Sequence, residues 1–341
     1  MKNIVLKTCL TSLFLSMSAL AAANVTISVP LTANTFNSDY SAIAGAALSV
    51  AAGSCIEKDV AAQAAVTIGA NATANNLYAG AAATVGADSH VKNIYAGAAA
   101  GLAANATAEN IYAGAAVTLG APSDAYDIEA GAAITLGAGS TAYDVYAGAA
   151  TTGATVRAYD SDDNIISGNV DSIGDINKIA AMAAFQMQVA LDAITTVQRE
   201  LTALATSDIN GDITDANEYV LGTYMGSATE TTELAGGVYE ASALNMPADA
   251  TIVFTGNAII NLSDALTLGA NTTIDDGGYI VIWNVGGALN LGAGTNFAGT
   301  AFVNGSVSGA TSDVQAGGRL YAQGAVAIGS ISRGNTSTNC L

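Results

Sequence analysis

A seventeen-residue repeat constrains this chain more than any other feature. From Ala79 it reads AGAAATVGADSHVKNIY, from Ala96 AGAAAGLAANATAENIY, from Ala113 AGAAVTLGAPSDAYDIE and from Ala130 AGAAITLGAGSTAYDVY. The register extends back to Ala62 and, with one extra residue, to Ala44, and forward to a degraded copy at Ala147. Stacking the copies exposes what each column demands. Column 7 is aliphatic (Ile68, Val85, Leu102, Leu119, Leu136), as is column 16 (Leu77, Ile94, Ile111, Ile128, Val145). Column 5 is Ala or a larger apolar residue, and column 6 between them is mostly Thr: Thr67, Thr84, Thr118, Thr135, Thr152. Alternation with period two and β-branched residues marks a strand with columns 5 and 7 inward and 6 outward. Gly at column 8 then turns the corner. Ala alone would favour helix, but a Gly recurs in every tract and seventeen residues fit a helical hairpin poorly. Such a unit suits one coil of a β-solenoid, with coils stacked about 4.8 Å apart and like residues forming ladders. The expected ladders are Tyr78, Tyr95, Tyr112 and Tyr146, and beside them Asn76, Asn93, Asn110, Asp127 and Asp144.

The repeat dissolves at an acidic stretch, SDDNIISGNVDSIGD, and is followed from Asp175 to Ser207 by a run without Gly or Pro. Its apolar positions Met187, Leu191, Ile194, Val197, Leu201 and Leu204 recur at spacings of three and four. That periodicity predicts a long amphipathic helix docking by one face along the solenoid. After Gly236 the strand pattern returns at ALTLGA (Ala265–Ala270), ALNLGA (Ala288–Ala293) and AVAIG (Ala325–Gly329), less regularly spaced. The expected organisation is a leader over 1–23, N-terminal coils over 24–160, linker and helix over 161–207, C-terminal coils of the same domain over 208–330, and a tail over 331–341.

The leader rests on Lys2 and Lys7 ahead of an apolar stretch that ends in small residues, with cleavage after Ala21 or Ala23. Export to the medium or periplasm follows, with no transmembrane segment expected. Cys55 and Cys340 then remain, and an oxidising compartment permits a bridge; a buried Cys55 with a loose Cys340 is the plainer expectation. Nine Lys+Arg against 28 Asp+Glu give a net charge of −19. Such a surface repels phosphate and disfavours nucleic acid. Mean hydropathy of +0.41 with 11% charged residues excludes a disordered polyelectrolyte.

Sites for chemistry are sparse. His90 is the sole histidine, so metal-ligand and Ser–His sets lack partners. Asp208-Ile-Asn-Gly-Asp212 starts like a calcium loop but has Ile213 and Tyr219 where Gly and Glu are needed. Asp160, Asp162 and Asp163 read as a solvated loop. No enzyme, cofactor or metal is expected.

Three stretches carry a family resemblance: ELAGGVYEASALNMP (Glu233–Pro247), YIVIWNVGGALNLGAGTNFAGTAFVNGSV (Tyr279–Val307) and AGGRLYAQGAVAIGS (Ala316–Ser330). They resemble the microbial ice-binding protein family, from about Asp175 to Ser330, with SAIAGAALSVAAGS (Ser41–Ser54) similar to its opening coil. The resemblance implies a right-handed β-helix of triangular section with one long α-helix packed alongside, and an ice crystal surface as partner. The seventeen-residue array resembles an expansion of that family's N-terminal half. On the outward face the residues expected to meet ice are Thr67, Thr84, Thr118, Thr135 and Thr152, with Ala82, Ala116, Ala133 and Thr267; Gly101 interrupts the Thr row. Thr and Ala also simply suit outward strand positions, so a structural or adhesive solenoid without ice activity is the alternative. Trp283 is expected in the core or at an edge.

Overall fold

The computed structural model describes residues 40–149, 151–152, 157–158, 191–199, 201, 229, 231–314 and 318–331. It is a parallel β-solenoid of about twelve coils with a helix packed alongside, as expected. Each seventeen-residue copy makes one coil. A three-residue strand such as Val66–Ile68, Ala83–Val85 or Val117–Leu119 forms one face, and a seven-residue strand such as Thr73–Ala79 or His90–Ala96 wraps the other two. The long strands bend where two successive residues, Lys92 and Asn93, both turn outward and pairing skips one position. All these pairs are parallel and join like to like: Thr67↔Thr84, Leu77↔Ile94, Tyr78↔Tyr95.

Three columns make the corners. Close approach favours Gly at column 8: a Cβ on Gly86 would lie 2.5 Å from the backbone of Gly69 and Ala70, although one coil carries Ala103 there. Column 10 takes a left-handed backbone, with φ near 57° at Asn71, Asp88 and Asn105. Asn, Asp and Gly tolerate that conformation best, which accounts for Asn71, Asp88, Asn105 and Gly139, while Pro122 is the exception in the column. Column 11 turns inward, and where it carries a hydroxyl, a carbonyl of the preceding coil satisfies it. Ser89 Oγ donates to Gly69 O (3.0 Å), Ser123 Oγ to Ala103 O (2.7 Å) and Ser140 Oγ to Gly120 O (2.8 Å). Unpaired, each buried hydroxyl would cost about 1–3 kcal/mol.

The stacking order differs from the chain order. The first described strand lies in the middle: Tyr40–Ala44 pairs on one side with Asp59–Ala62 and on the other with Arg319–Ala322. Leu48–Val50 likewise lies between Val66–Ile68 and Val326–Ile331. The repeat array therefore continues the stack that the C-terminal coils begin, and the two meet at a seam between residues 40–56 and 319–331. Ser54 Oγ donates across it to Gly329 O (2.8 Å).

The two halves differ in core. In the array it is aliphatic, with Leu77, Ile94, Ile111, Ile128 and Val145 buried in one column. In the C-terminal coils it is aromatic: Trp283 sits edge-on to Phe254 (5.8 Å) and tilted against Phe297 (5.8 Å). Bulkier centres need a wider coil, hence the longer steps there. Trp283 is fully buried, and its indole N–H donates to Ala298 O (3.2 Å).

Helical residues 191–199 and 201 lie against the C-terminal part of the sheet built from Tyr40–Ala44, Ala258–Leu262, Val281–Val285 and Thr300–Val303. Leu191, Ile194 and Leu201 pack on Ile43, Ile259, Ile282, Phe302 and Tyr321, with Val197 partly buried beside them. Strands covered on both sides should read as continuous apolar runs, and Val281–Val285 and Ala258–Leu262 are buried at every position. Gln323 Nε2 donates to Leu191 O (2.9 Å), Asn284 Nδ2 to Gln198 O (3.3 Å) and Asn261 Nδ2 to Leu201 O (3.3 Å). The helix thus runs against the direction in which the C-terminal coils are laid down. Met187 and Leu204 lie outside the described residues, as do the leader, Asp160, Asp162, Asp163 and the 208–212 loop.

Candidate functional site

The three-residue strands build the sheet that carries the Thr row. In Val66–Ile68, Val117–Leu119 and Ile134–Leu136 the outer residues are buried and the central Thr is exposed. Thr67, Thr84, Gly101, Thr118, Thr135 and Thr152 follow one another in register. Beside them run half-buried Ala82, Ala116 and Ala133, and on the other side Gly69, Gly86, Gly120 and Gly137. The face is thus three parallel rows, spaced about 4.8 Å between coils and about 6.6 Å along each strand. Across the seam the Thr row continues as Ser49, Ala327, Ser308, Asn290, Thr267 and Asn245. No charged residue stands in any of these positions.

Such a surface offers methyl groups and hydroxyls at fixed intervals. The β-branched Thr side chain is stiff at χ1, so the hydroxyl spacing follows the backbone. Among the described residues Thr67, Thr84 and Thr118 make no side-chain bond to another residue, whereas Thr135 and Thr152 share a long contact of 3.4 Å. Gly101 leaves a notch: a Cβ there would meet nothing within 4 Å.

The neighbouring sheet carries the polar ladders. Asn76 Nδ2 donates to Asp59 Oδ1 (2.9 Å), Asn93 Nδ2 to Asn76 Oδ1 (2.8 Å) and Asn110 Nδ2 to Asn93 Oδ1 (2.7 Å). Asp127 and Asp144 continue the column in register. With its amide reversed, Asn110 reaches Asp127 Oδ2 at 3.1 Å instead. Burial, and secondarily the charge of Asp144, push the Asp127 carboxyl upward.

The tyrosine ladder needs one correction. Tyr78, Tyr95 and Tyr112 stack at 4.9 and 5.3 Å, nearly parallel, but Glu129 intervenes before Tyr146. A second stack, Tyr126 on Tyr143 at 4.8 Å, stands exposed on the next face. The sequence carries no ladder signal for it, because column 14 holds Asn75, Lys92 and Glu109 in the preceding coils. His90 is a rung in another column, its Nδ1 2.6 Å from Thr107 Oγ1. Cys55 is disulfide-bonded, contrary to the plainer expectation of a buried thiol; its partner lies outside the described residues.

Burial is the main influence raising the Tyr78, Tyr95 and Tyr112 phenols above the usual tyrosine range; Asp59 adds to it at Tyr78 and Tyr95. The folded chain therefore keeps protons that the unfolded chain releases above about pH 10. Stability contributed by these groups is complete below that pH and is lost as pH rises toward the folded values. Thermal melts should fall steeply above about pH 10, and Tyr78→Phe should flatten that decline.

Among the described residues no three of His, Cys, Asp or Glu are placed to hold a metal ion, and no helix is long and apolar enough to cross a membrane. The geometry defines a β-solenoid presenting one uncharged, regularly ruled face. No family profile matches the chain, and no curated protein matches it in sequence. Among solved structures it is similar to a glycosylated ice-binding protein from an Arctic yeast, at 14% identity and a TM-score of 0.42, over 93% of this chain and 98% of that one. It is also similar to an ice-binding protein from an Antarctic bacterium of the Flavobacteriaceae, at 14% identity and a TM-score of 0.31, over 88% and 98%.

Proposed function

We propose that this is an exported, non-enzymatic ice-binding protein that adsorbs to ice through the Ala/Thr face and so restrains ice growth and recrystallisation. The observation that carries the reading is the in-register, uncharged row Thr67, Thr84, Thr118, Thr135 and Thr152, flanked by Ala82, Ala116 and Ala133 and continued by Thr267. Water over small methyl groups is orientationally restricted, and hydroxyls at lattice intervals fix where that layer sits. A layer already ordered on the protein can be shared with a growing crystal plane. Long or charged side chains would break the layer, and the face has none. The leader and the disulfide at Cys55 both support export to an oxidising compartment.

The test is thermal hysteresis and recrystallisation inhibition on the chain from Asn24 onward. Activity at micromolar protein is expected; a folded chain without it would overturn the reading and leave a structural solenoid. Gly101→Thr should raise activity, because a Cβ there meets nothing within 4 Å and the new side chain fills the notch between Thr84 and Thr118. Hysteresis measured at equal concentration checks this.

A further inference from the structure

We infer that ice contact is confined to the part of the face laid down by the repeat array, from Thr67 to Thr152, and that its continuation across the C-terminal coils takes no part. The inference rests on the ice-binding reading and narrows it. Both stretches share strand geometry, register and backbone spacing, so the difference lies in the side chains. In the array the exposed row is Thr at every coil but one, and Thr67, Thr84 and Thr118 spend no hydroxyl on a neighbour. Every point of the row there but Gly101 offers the same group on the same backbone position.

Beyond the seam no two successive residues are alike: Ala327, Ser308, Asn290, Thr267, Asn245. Their polar groups also satisfy one another. Ser308 Oγ donates to Asn290 Oδ1 (3.0 Å), and Asn290 Nδ2 points at Thr267 Oγ1 (3.4 Å). Thr267 and Asn290 are only partly exposed. A carboxamide stands taller than a threonine and has two rotatable bonds, so the layer over this stretch has uneven height and no common period. The flanking Ala row is broken as well, by Ser306. These coils carry the helix and the aromatic core instead. They form the base from which the array projects.

Equal bulk placed on each stretch separates the two. Thr84→Tyr and Asn290→Tyr each put a ring at the centre of a three-residue strand, pointing outward. Thermal hysteresis and recrystallisation inhibition are compared at matched concentration, with melting temperature confirming the fold. Thr84→Tyr is expected to lose about tenfold or more in activity, while Asn290→Tyr stays within about twofold of the parent. Thr84→Lys and Asn290→Lys repeat the comparison should either ring disturb the stack. Equal losses on the two stretches, or a loss only at Asn290, would overturn the inference and leave ice binding in place. An inactive parent overturns the ice-binding reading itself, and is distinguishable because no variant then has activity to lose.

Discussion

The Thr118→Tyr/Thr135→Tyr double variant should lose essentially all inhibition of ice growth while melting within a few degrees of the parent. Both residues sit at the centre of strands whose inward neighbours, Val117 and Leu119, Ile134 and Leu136, are buried. The substitution leaves that core untouched, and exposed changes away from packing or hydrogen-bond networks usually cost no more than about 0.5 kcal/mol. Among the described residues Thr118 has no side-chain hydrogen-bond partner, and Thr135 has the 3.4 Å contact with Thr152 alone. Two adjacent rings, however, stand well above the Ala and Gly rows on either side. They separate the crystal from the protein over the most regular part of the face. Adsorption that depends on many small contacts in one plane has no local way to compensate. Hysteresis assays and circular dichroism on the same preparation report the two halves of this expectation. Activity retained in a folded variant would move the site to another face.

Trp283→Ala should produce the largest loss of stability. The indole is fully buried, packs against Phe254 and Phe297, and donates to Ala298 O. Removing it leaves a cavity that three aromatic-bearing coils cannot close, and Trp-to-Ala changes of this kind cost about 3–5 kcal/mol. For a chain of this size that lowers the melting temperature by on the order of 10 °C. Each coil touches only its neighbours, so the loss is felt first in the C-terminal coils and the overlying helix. Ice activity per folded molecule, assayed near 0 °C, should be unchanged because Trp283 faces inward. A melting curve indistinguishable from the parent would contradict the packing described above.

Much of the architecture was readable from spacing alone, because a solenoid repeats its demands every coil. Val66 and Ile68 inward with Thr67 outward, Leu77 to Val145 as one buried column, and Asn76 to Asp144 as one ladder all followed from aligning seventeen-residue copies. The docking face of the helix followed from Leu191, Ile194 and Leu201 in the same way. The stacking order did not. Alternation says which way a residue points, not which coil lies above it, and only the pairing of Ala42 with Leu320 reveals that the strand Tyr40–Ala44 lies mid-stack. The buried hydroxyls at Ser89, Ser123 and Ser140 were hidden because Ala72 and Ala106 fill the same column in other coils. Ser in an alignment looks like a surface residue until the carbonyl that receives it is located. Pairing of Cys55 likewise depends on proximity in space. For the candidate site, orientation was legible from the Thr column, whereas the contrast between free and mutually bonded polar groups required coordinates.

The seam gives the molecule one fixed half and one adjustable half. The helix, the aromatic core and the meeting of residues 40–56 with 319–331 all belong to the C-terminal side and its junction. The array beyond the seam is held by similar nearest-neighbour contacts, so duplicating or deleting a seventeen-residue unit changes its length while each coil-to-coil joint keeps the same form. Each such event adds or removes one more row of the same face, in register and at about 4.8 Å. Footprint on a crystal is thereby uncoupled from fold. Selection, or an engineer, can set the reach of the surface by counting copies, with no residue redesigned.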